Sequence, residues 1–277
     1  MEEKNNYNLF NFGEMSDVAN NLIDKLASAT GWYVSRNTPS KIGLNTYIEE
    51  IQKKNYDPLT KAALITNAKK TIKEYCNQKD IVAIAINLLN KDCVPEMLDN
   101  DWLSIFMDKA RLVTSDDFKL LWGKLLAAEC DNNGCVPKGL LHILSQIDRE
   151  DAESFSALCS LAIKVEDEYQ PVVNINRFED YTNWGLDFDK LVNLKALGLI
   201  EMDFSKLGIY SVYGKDIPIK AKYFNHEFEC SNRKTEMNIG NVMFTKLGQA
   251  LCKAITVDET KNFWDEYCLP FLKMCNV

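Results

Sequence analysis

The chain has 277 residues, 46% of them hydrophobic and 26% charged, with a net charge of -8. That length suits two packed domains, and the hydrophobic fraction permits a real core in each. Residues 1–147 carry 17 basic and 19 acidic side chains and residues 148–277 carry 15 and 21, so neither half has the basic excess of a general polyanion binder.

Residues 1–13 are rich in Asn and aromatic residues and read as an irregular arm. A helix from Glu14 to about Thr30 follows, with Met15, Val18, Ala19, Leu22, Ile23 and Leu26 on one side and Gly31 as its stop. Trp32 and Tyr33 flank it. Residues 1–40 thus form an amphipathic N-terminal arm, and Met15, Leu22, Leu26, Trp32 and Tyr33 are the candidate interaction surface. Its charges, Glu14, Asp17, Asp24 and Lys25, are net negative. Interfacial helices carry Lys and Arg on the polar face, so packing on protein or on a second copy is favoured over membrane binding.

Residues 41–147 read as a helical domain. The stretch 41–55 is loosely helical. Asp57-Pro58 supplies an acidic N-cap and a proline at N1 for a helix to about Tyr75, with Leu59, Ala62, Ala63, Ile65 and Ile72 apolar. Lys69, Lys70, Lys73 and Lys79 form a basic stripe, read as a solvated face because Glu74 and Asp80 are interspersed. Ile81–Leu89 reads as a separate, short central helix, too short to span a bilayer.

Asp101–Glu129 is the best-patterned stretch. Trp102, Ile105, Phe106 and Ala110 share one helix face; Phe118, Leu121, Trp122, Leu125 and Leu126 share another. Ser115 is placed to cap the second helix, with Asp116 and Asp117 at its positive end. Trp102, Phe106, Asp108, Arg111, Trp122, Leu125 and Glu129 are expected to form the structural centre. Asp108, Arg111 and Glu129 are weighed as a catalytic charge cluster and as an ion-pair network pinning two helices, and the structural reading is favoured.

The run D-W-x-x-x-F-x-D-K-x-R-L-V, followed by D-D-x-x-x-L-W-x-K-L-L-A-x-E, resembles the bacterial domain-of-unknown-function 2806 family. The resemblance continues through Leu140–Leu144, Asp151–Leu158, Gly198-Leu199-Ile200 and Asn238-Ile239-Gly240, as far as Thr245–Gly248. It covers roughly Asn77 to the C-terminus and implies no assigned activity. The order L-W-x-x-L-L-A, P-V-V, L-G-L-I and T-x-x-G is also similar to abortive-infection alpha-like proteins, which implies a link to phage defence.

Residues 148–277 read as an α+β domain. Pro137 starts a helix carrying His142. Asp148 caps the next, with Phe155, Leu158, Cys159 and Ala162 inward. Pro171–Ile175 reads as a strand. Leu186–Leu197 reads as a helix closed by Gly198, and Leu199–Met202 as a strand. Residues 217–223 alternate as a half-exposed strand, His226–Cys230 is its hairpin partner, and Val242–Phe244 is a further strand. Thr245 caps a helix, and a last helix carries Phe263, Trp264 and Tyr267. This order is winged-helix-like. The expected fold is therefore mainly α with a C-terminal α+β part, a helical bundle followed by a winged-helix-like domain.

Chemistry leaves few marks. There is no phosphate-binding glycine loop, no G-x-S-x-G and no H-E-x-x-H. Nine scattered cysteines without C-x-x-C, and only His142 and His226, give no metal or nucleophile motif, so no catalytic residue and no cofactor is expected. Unpaired thiols and an acidic start without a signal peptide point to the cytoplasm. The expected function is a non-enzymatic oligomerising or partner-binding protein of anti-phage defence. A DNA-binding regulator using Asp187–Leu197 and the Lys215–Lys222 hairpin, and a membrane-perturbing effector using the N-terminal helix, are the alternatives. Nucleic acid is disfavoured as a partner because Asp187, Asp189, Lys190 and Lys195 sum to zero on the candidate recognition helix.

Overall fold

The computed structural model describes residues 16–33, 41–176, 181–203, 208–211, 219–230 and 236–276. The chain divides into two compact units, one up to Leu141 and one from His142. The protein is mainly α with a C-terminal α+β part.

In the first unit, α1 (Asp17–Thr30) starts at Ser16, whose hydroxyl accepts the Ala19 N–H at 3.3 Å, and stops at Gly31, which takes φ +71°. Ala19, Leu22 and Leu26 are buried. This face packs on α4 (Asn100–Ala110) and on the 3-10 turn Pro95–Met97. The helix is therefore part of the first unit, not a separate arm. Met15 lies outside the described residues.

Helix α2 (Lys41–Lys53) packs on α3 (Pro58–Leu88). Asp57 caps α3 through the N–H groups of Leu59 and Thr60, both 3.0 Å away. The break expected between Tyr75 and Ile81 is absent, and α3 is one continuous helix. Two facts account for this. Cys76–Asp80 contains no Gly or Pro. Its polar residues are also engaged: Asn77 Nδ2 donates to the Arg111 carbonyl and Gln78 Nε2 to the Met107 carbonyl, each at 2.9 Å. Both acceptors are in the last turn of α4, where carbonyls run out of helical partners, although the Met107 carbonyl also accepts the Arg111 N–H at 3.3 Å.

Helix α5 (Asp116–Asp131) lies along α3. Its contact is close because Gly123 faces α3; a Cβ there would stand 2.4 Å from Ile84 Cγ2. Ser115 occupies the N-cap position, but its hydroxyl makes no capping bond, contrary to the sequence reading. Asp116 and Asp117 still meet the positive helix end. Lys119 Nζ reaches Asp80 at 2.6 Å and ties α5 to α3. Helix α6 (Lys138–Leu144) follows.

In the second unit, Asp148 caps α7 (Arg149–Ser160) through the Asp151 N–H at 2.9 Å. The helix ends sooner than its apolar spacing suggests. Ala162 is buried, but on a strand: β1 (Ala162–Val165) forms a hairpin with β2 (Glu168–Pro171) around Glu166, φ +53°. Strand β2 thus ends where the expected strand was to begin. Beyond it Val172 and Val173 are buried outside the regular sheet.

Helix α8 (Phe188–Ala196) is capped by Asp187. It closes as a Schellman turn: the Gly198 N–H reaches the Lys195 carbonyl at 2.9 Å and the Leu199 N–H the Leu194 carbonyl at 3.1 Å. Strand β3 (Ile200–Met202) pairs antiparallel with β8 (Val242–Phe244), and β4 (Gly208–Ser211) pairs with β7 (Glu236–Gly240). Between these outgoing and returning strands, β5 (Ile219–Tyr223) and β6 (His226–Cys230) form a hairpin. This hairpin does not stand alone as a wing. It joins the first hairpin in a four-stranded sheet of order β2-β1-β5-β6.

The L-G-L-I and T-x-x-G motifs meet at the β3–β8 end. Thr245 Oγ1 donates to the Gly198 carbonyl at 2.6 Å and accepts the Gly248 N–H at 3.1 Å, capping α9 (Lys246–Ala254). A Cβ on Gly248 would stand 2.0 Å from the Leu199 carbonyl oxygen, so only glycine admits this approach. Asn241, fully buried, accepts the Ile175 N–H on Oδ1 at 2.8 Å. A π-helical turn, Trp264–Cys268, and α10 (Leu269–Asn276) complete the unit. Trp264 and Phe263 pack on Tyr223. The Tyr223 hydroxyl donates to the Ser160 carbonyl at 2.9 Å and accepts the Thr260 N–H at 3.0 Å; burial pushes its pKa up to about 12.

Candidate functional site

Helices α4 and α5 bring three aromatic side chains into one row. Trp102 stacks on Phe106 at 5.1 Å, and Phe106 meets Trp122 at 5.1 Å in a tilted arrangement. All three, with Leu125, are buried. Trp102 Nε1 donates to the Val136 carbonyl at 2.8 Å, whereas Trp122 Nε1 is buried without a hydrogen-bond partner among the described residues. Truncating a buried aromatic of this kind to alanine costs roughly 3–5 kcal/mol.

Glu129 ends this row. It is buried, and its two carboxylate oxygens accept the backbone N–H groups of Gly134 at 2.6 Å and Val136 at 2.8 Å. The side chain holds the turn after α5 in place, and through Val136 it fixes the acceptor used by Trp102. Burial pushes the Glu129 carboxyl above the ordinary glutamate range, against the opposing pull of the two N–H donors.

The expected charge cluster separates into two parts. Arg111 pairs with Asp108, Nε to Oδ1 at 3.1 Å, and with Glu74 on α3, at 2.9 Å. Glu129 is not a member; the third charge is Glu74, which sequence spacing gave no means of finding, being 37 residues from Arg111. Asp108 is more than half exposed, so this network is a surface clasp between α3 and α4. A second clasp was also missed: Asp99 caps α4 through the Trp102 N–H at 2.7 Å and meets Lys138 at 2.9 Å. The D-N-D run before Trp102 was a legible cap signal.

The candidate interaction residues of α1 are mostly turned into the first unit. Leu22 and Leu26 have no exposed surface, and Trp32 is buried in a stack with Tyr75 at 5.9 Å. Tyr33 alone of the described members is open, at 77% exposure. Insertion of this face into a membrane or a partner would require α1 to leave its own core.

An apolar face does remain incompletely covered, on the α2–α3 hairpin. From Pro58 through Cys76 no side chain of α3 is buried; its buried residues begin at Asn77. Leu64, Ile65, Ala68 and Ile72 lie at helical spacing and are only half-covered, as are Leu44 and Ile48 on α2. Tyr47, Tyr56 and Leu59 are exposed on the same hairpin. Lys69, Lys70 and Lys73 are exposed, but Lys79, read as part of their stripe, is buried.

Among the described residues no group of three or more His, Cys, Asp or Glu side chains converges as a metal site, and no helix is long and apolar enough to cross a membrane. Burial raises the thiols of Cys130, Cys159 and Cys268 above the ordinary cysteine range, which makes them poor nucleophiles.

A helical unit with an aromatic row on α4 and α5, followed by an α+β unit, defines the class. The chain belongs to the family described as Protein of unknown function (DUF2806), whose model matches residues 66–268. The match begins within α3, so α1, α2 and the first turns of α3 lie outside it. Neither characterised proteins nor solved structures give a significant match, and the abortive-infection likeness has no counterpart in these comparisons.

Proposed function

We propose that this is a non-catalytic cytoplasmic protein that self-associates through the α2–α3 hairpin and serves in anti-phage defence. The observation that carries the self-association is the half-covered face of Leu64, Ile65, Ala68 and Ile72 on a helix with no buried residue before Asn77. A two-helix hairpin in water gains by covering such a face, and two hairpins packed together make a four-helix arrangement. Charge supports a second copy as the occupant. Glu49 and Glu50 are exposed towards the hairpin tip, with Lys53, Lys54 and Asp57 also exposed there, and Lys69, Lys70 and Lys73 are exposed towards its base. Antiparallel two-fold packing sets Glu49 and Glu50 of one copy beside Lys69, Lys70 and Lys73 of the other. The defence setting rests on the ordered likeness to abortive-infection alpha-like proteins.

Light scattering over a concentration range tests the association. The full chain is expected to shift from monomer to dimer. A Lys69→Glu, Lys70→Glu, Lys73→Glu variant is expected to weaken the dimer, and adding Glu49→Lys and Glu50→Lys is expected to restore it. A strict monomer, or a dimer indifferent to both charge reversals, would overturn the reading. Phage plaque counts on cells expressing the same variants test the setting: protection should fall and return with the dimer.

A further inference from the structure

Among the described residues, strand β6 closes one end of the four-stranded sheet and is hydrogen-bonded to β5 alone. The register across the hairpin is Tyr223↔His226, Lys222↔Glu227, Ala221↔Phe228 and Lys220↔Glu229, around a two-residue turn whose first residue, Phe224, takes φ +46°. A positive φ there belongs to the tight turns that join twisted antiparallel strands. In such a hairpin the pair flanking the turn exchanges backbone hydrogen bonds, and hydrogen-bonded and non-hydrogen-bonded pairs then alternate. The N–H and C=O groups of Glu227 and Glu229 consequently face away from β5. Among the described residues no backbone hydrogen bond uses them. Phe228, buried between them, fixes the strand against the core and so fixes which residues face out.

The side chains add a second selection. Glu227 and Glu229 are exposed. On one side each has a lysine opposite on β5, and Lys220 Nζ stands 3.8 Å from Glu229. On the open side, among the described residues, neither has a cation. A second copy adding its own β6 antiparallel about Phe228 would set Glu227 against Glu229, which is repulsive. A strand with Lys or Arg at alternate positions would instead continue the row of alternating charge while taking up the open backbone groups.

We propose that β6 is a docking edge for an extended, basic segment of a partner protein, bound by strand addition with cationic side chains beside Glu227 and Glu229. This site lies in the second unit and is independent of the association through α2–α3.

The test uses the full chain and a short labelled peptide alternating lysine and threonine, followed by fluorescence anisotropy. Binding is expected to weaken with salt and to be roughly tenfold or more tighter than for the glutamate–threonine peptide. The lysine–threonine peptide N-methylated on alternate residues keeps its charge but loses its backbone donors, and should bind at least about tenfold more weakly. Glu227→Lys with Glu229→Lys should abolish binding. Glu229→Pro removes the outward N–H together with the Glu229 carboxylate, at a position where an edge strand accepts proline, and should weaken binding more than Glu229→Gln does, at an unchanged melting temperature. No binding of the lysine–threonine peptide, equal binding of the N-methylated form, or unchanged binding by the double lysine variant would each overturn the proposal.

Discussion

Glu129 shows how one side chain organises the first unit. Its carboxylate takes two backbone N–H groups of the turn after α5, and the same turn presents the Val136 carbonyl to Trp102. Glutamine at this position has one oxygen for two donors and turns its own NH2 on the other. Leaving a buried donor unmet costs about 1–3 kcal/mol, so Glu129→Gln should lower the thermal midpoint. The pH dependence has a definite sign. Burial raises the folded-state value above the unfolded one, so the protonated form is favoured by folding. That contribution is fully present below the unfolded glutamate value and is lost as pH rises through the raised folded value. The stability difference between wild type and Glu129→Gln should therefore change as pH falls from neutrality towards the ordinary glutamate range, in favour of wild type. Denaturant titrations at several pH values measure it; a difference independent of pH would contradict the assigned shift. Residue type and position gave no hint of this role, because the donors come from a turn whose course is not written in helical periodicity.

At the scale of elements, much of the second half was legible because its signals are local. Asp148 and Thr245 cap helices, Gly198 ends one, and Lys220 and Lys222 alternate with buried Ile219, Ala221 and Tyr223. Each depends on residues within a few positions. The errors came where a distant partner decides. Asn77 and Gln78 look like a break and instead serve the end of α4, more than twenty residues away. Ala162 continues the apolar spacing of α7 but is taken by a hairpin. The contact of α5 with α3 rests on Gly123, which sequence alone marks only as a poor helix former. Alanine there gains up to about 1 kcal/mol of helix propensity. Its Cβ would meet Ile84 Cγ2 at 2.4 Å and Ile84 Cβ at 2.7 Å, and the latter cannot withdraw without moving the helix. Overpacking of this kind costs typically about 1–3 kcal/mol. Gly123→Ala should therefore destabilise, and pairing it with Ile84→Ala should recover part of the loss. A melting temperature raised by Gly123→Ala alone would mean that α3 and α5 are not in close contact.

Across the whole molecule, charge decides what the α+β unit can do. The net charge is -8; Lys215 lies outside the described residues, and among those described the lysines nearest to a nucleic-acid role are already engaged. On α8, Lys190 donates to the Gly185 carbonyl at 2.8 Å and lies 3.9 Å from Asp187. On β5, Lys220 lies 3.8 Å from Glu229, and Lys222 stands opposite Glu227. The hairpin that would reach into a groove is part of a four-stranded sheet whose outer strand is acidic. In the first unit, the loss of Lys79 to the interior leaves Lys69, Lys70 and Lys73, and Lys70 lies 3.9 Å from Glu74. Phosphate neutralisation supplies most of the affinity for duplex DNA, with a slope of about -0.9 in log K per phosphate against log salt. With the three exposed lysines of α3 acting together, that slope would be about -2.7. The full chain should therefore bind duplex DNA no more tightly than the roughly 10⁻⁴–10⁻⁶ M of non-specific association at physiological salt. Anisotropy titrations at two salt concentrations check both quantities. Nanomolar affinity with a steep salt dependence would require a convergent basic surface and would replace protein docking by nucleic-acid binding as the use of this fold.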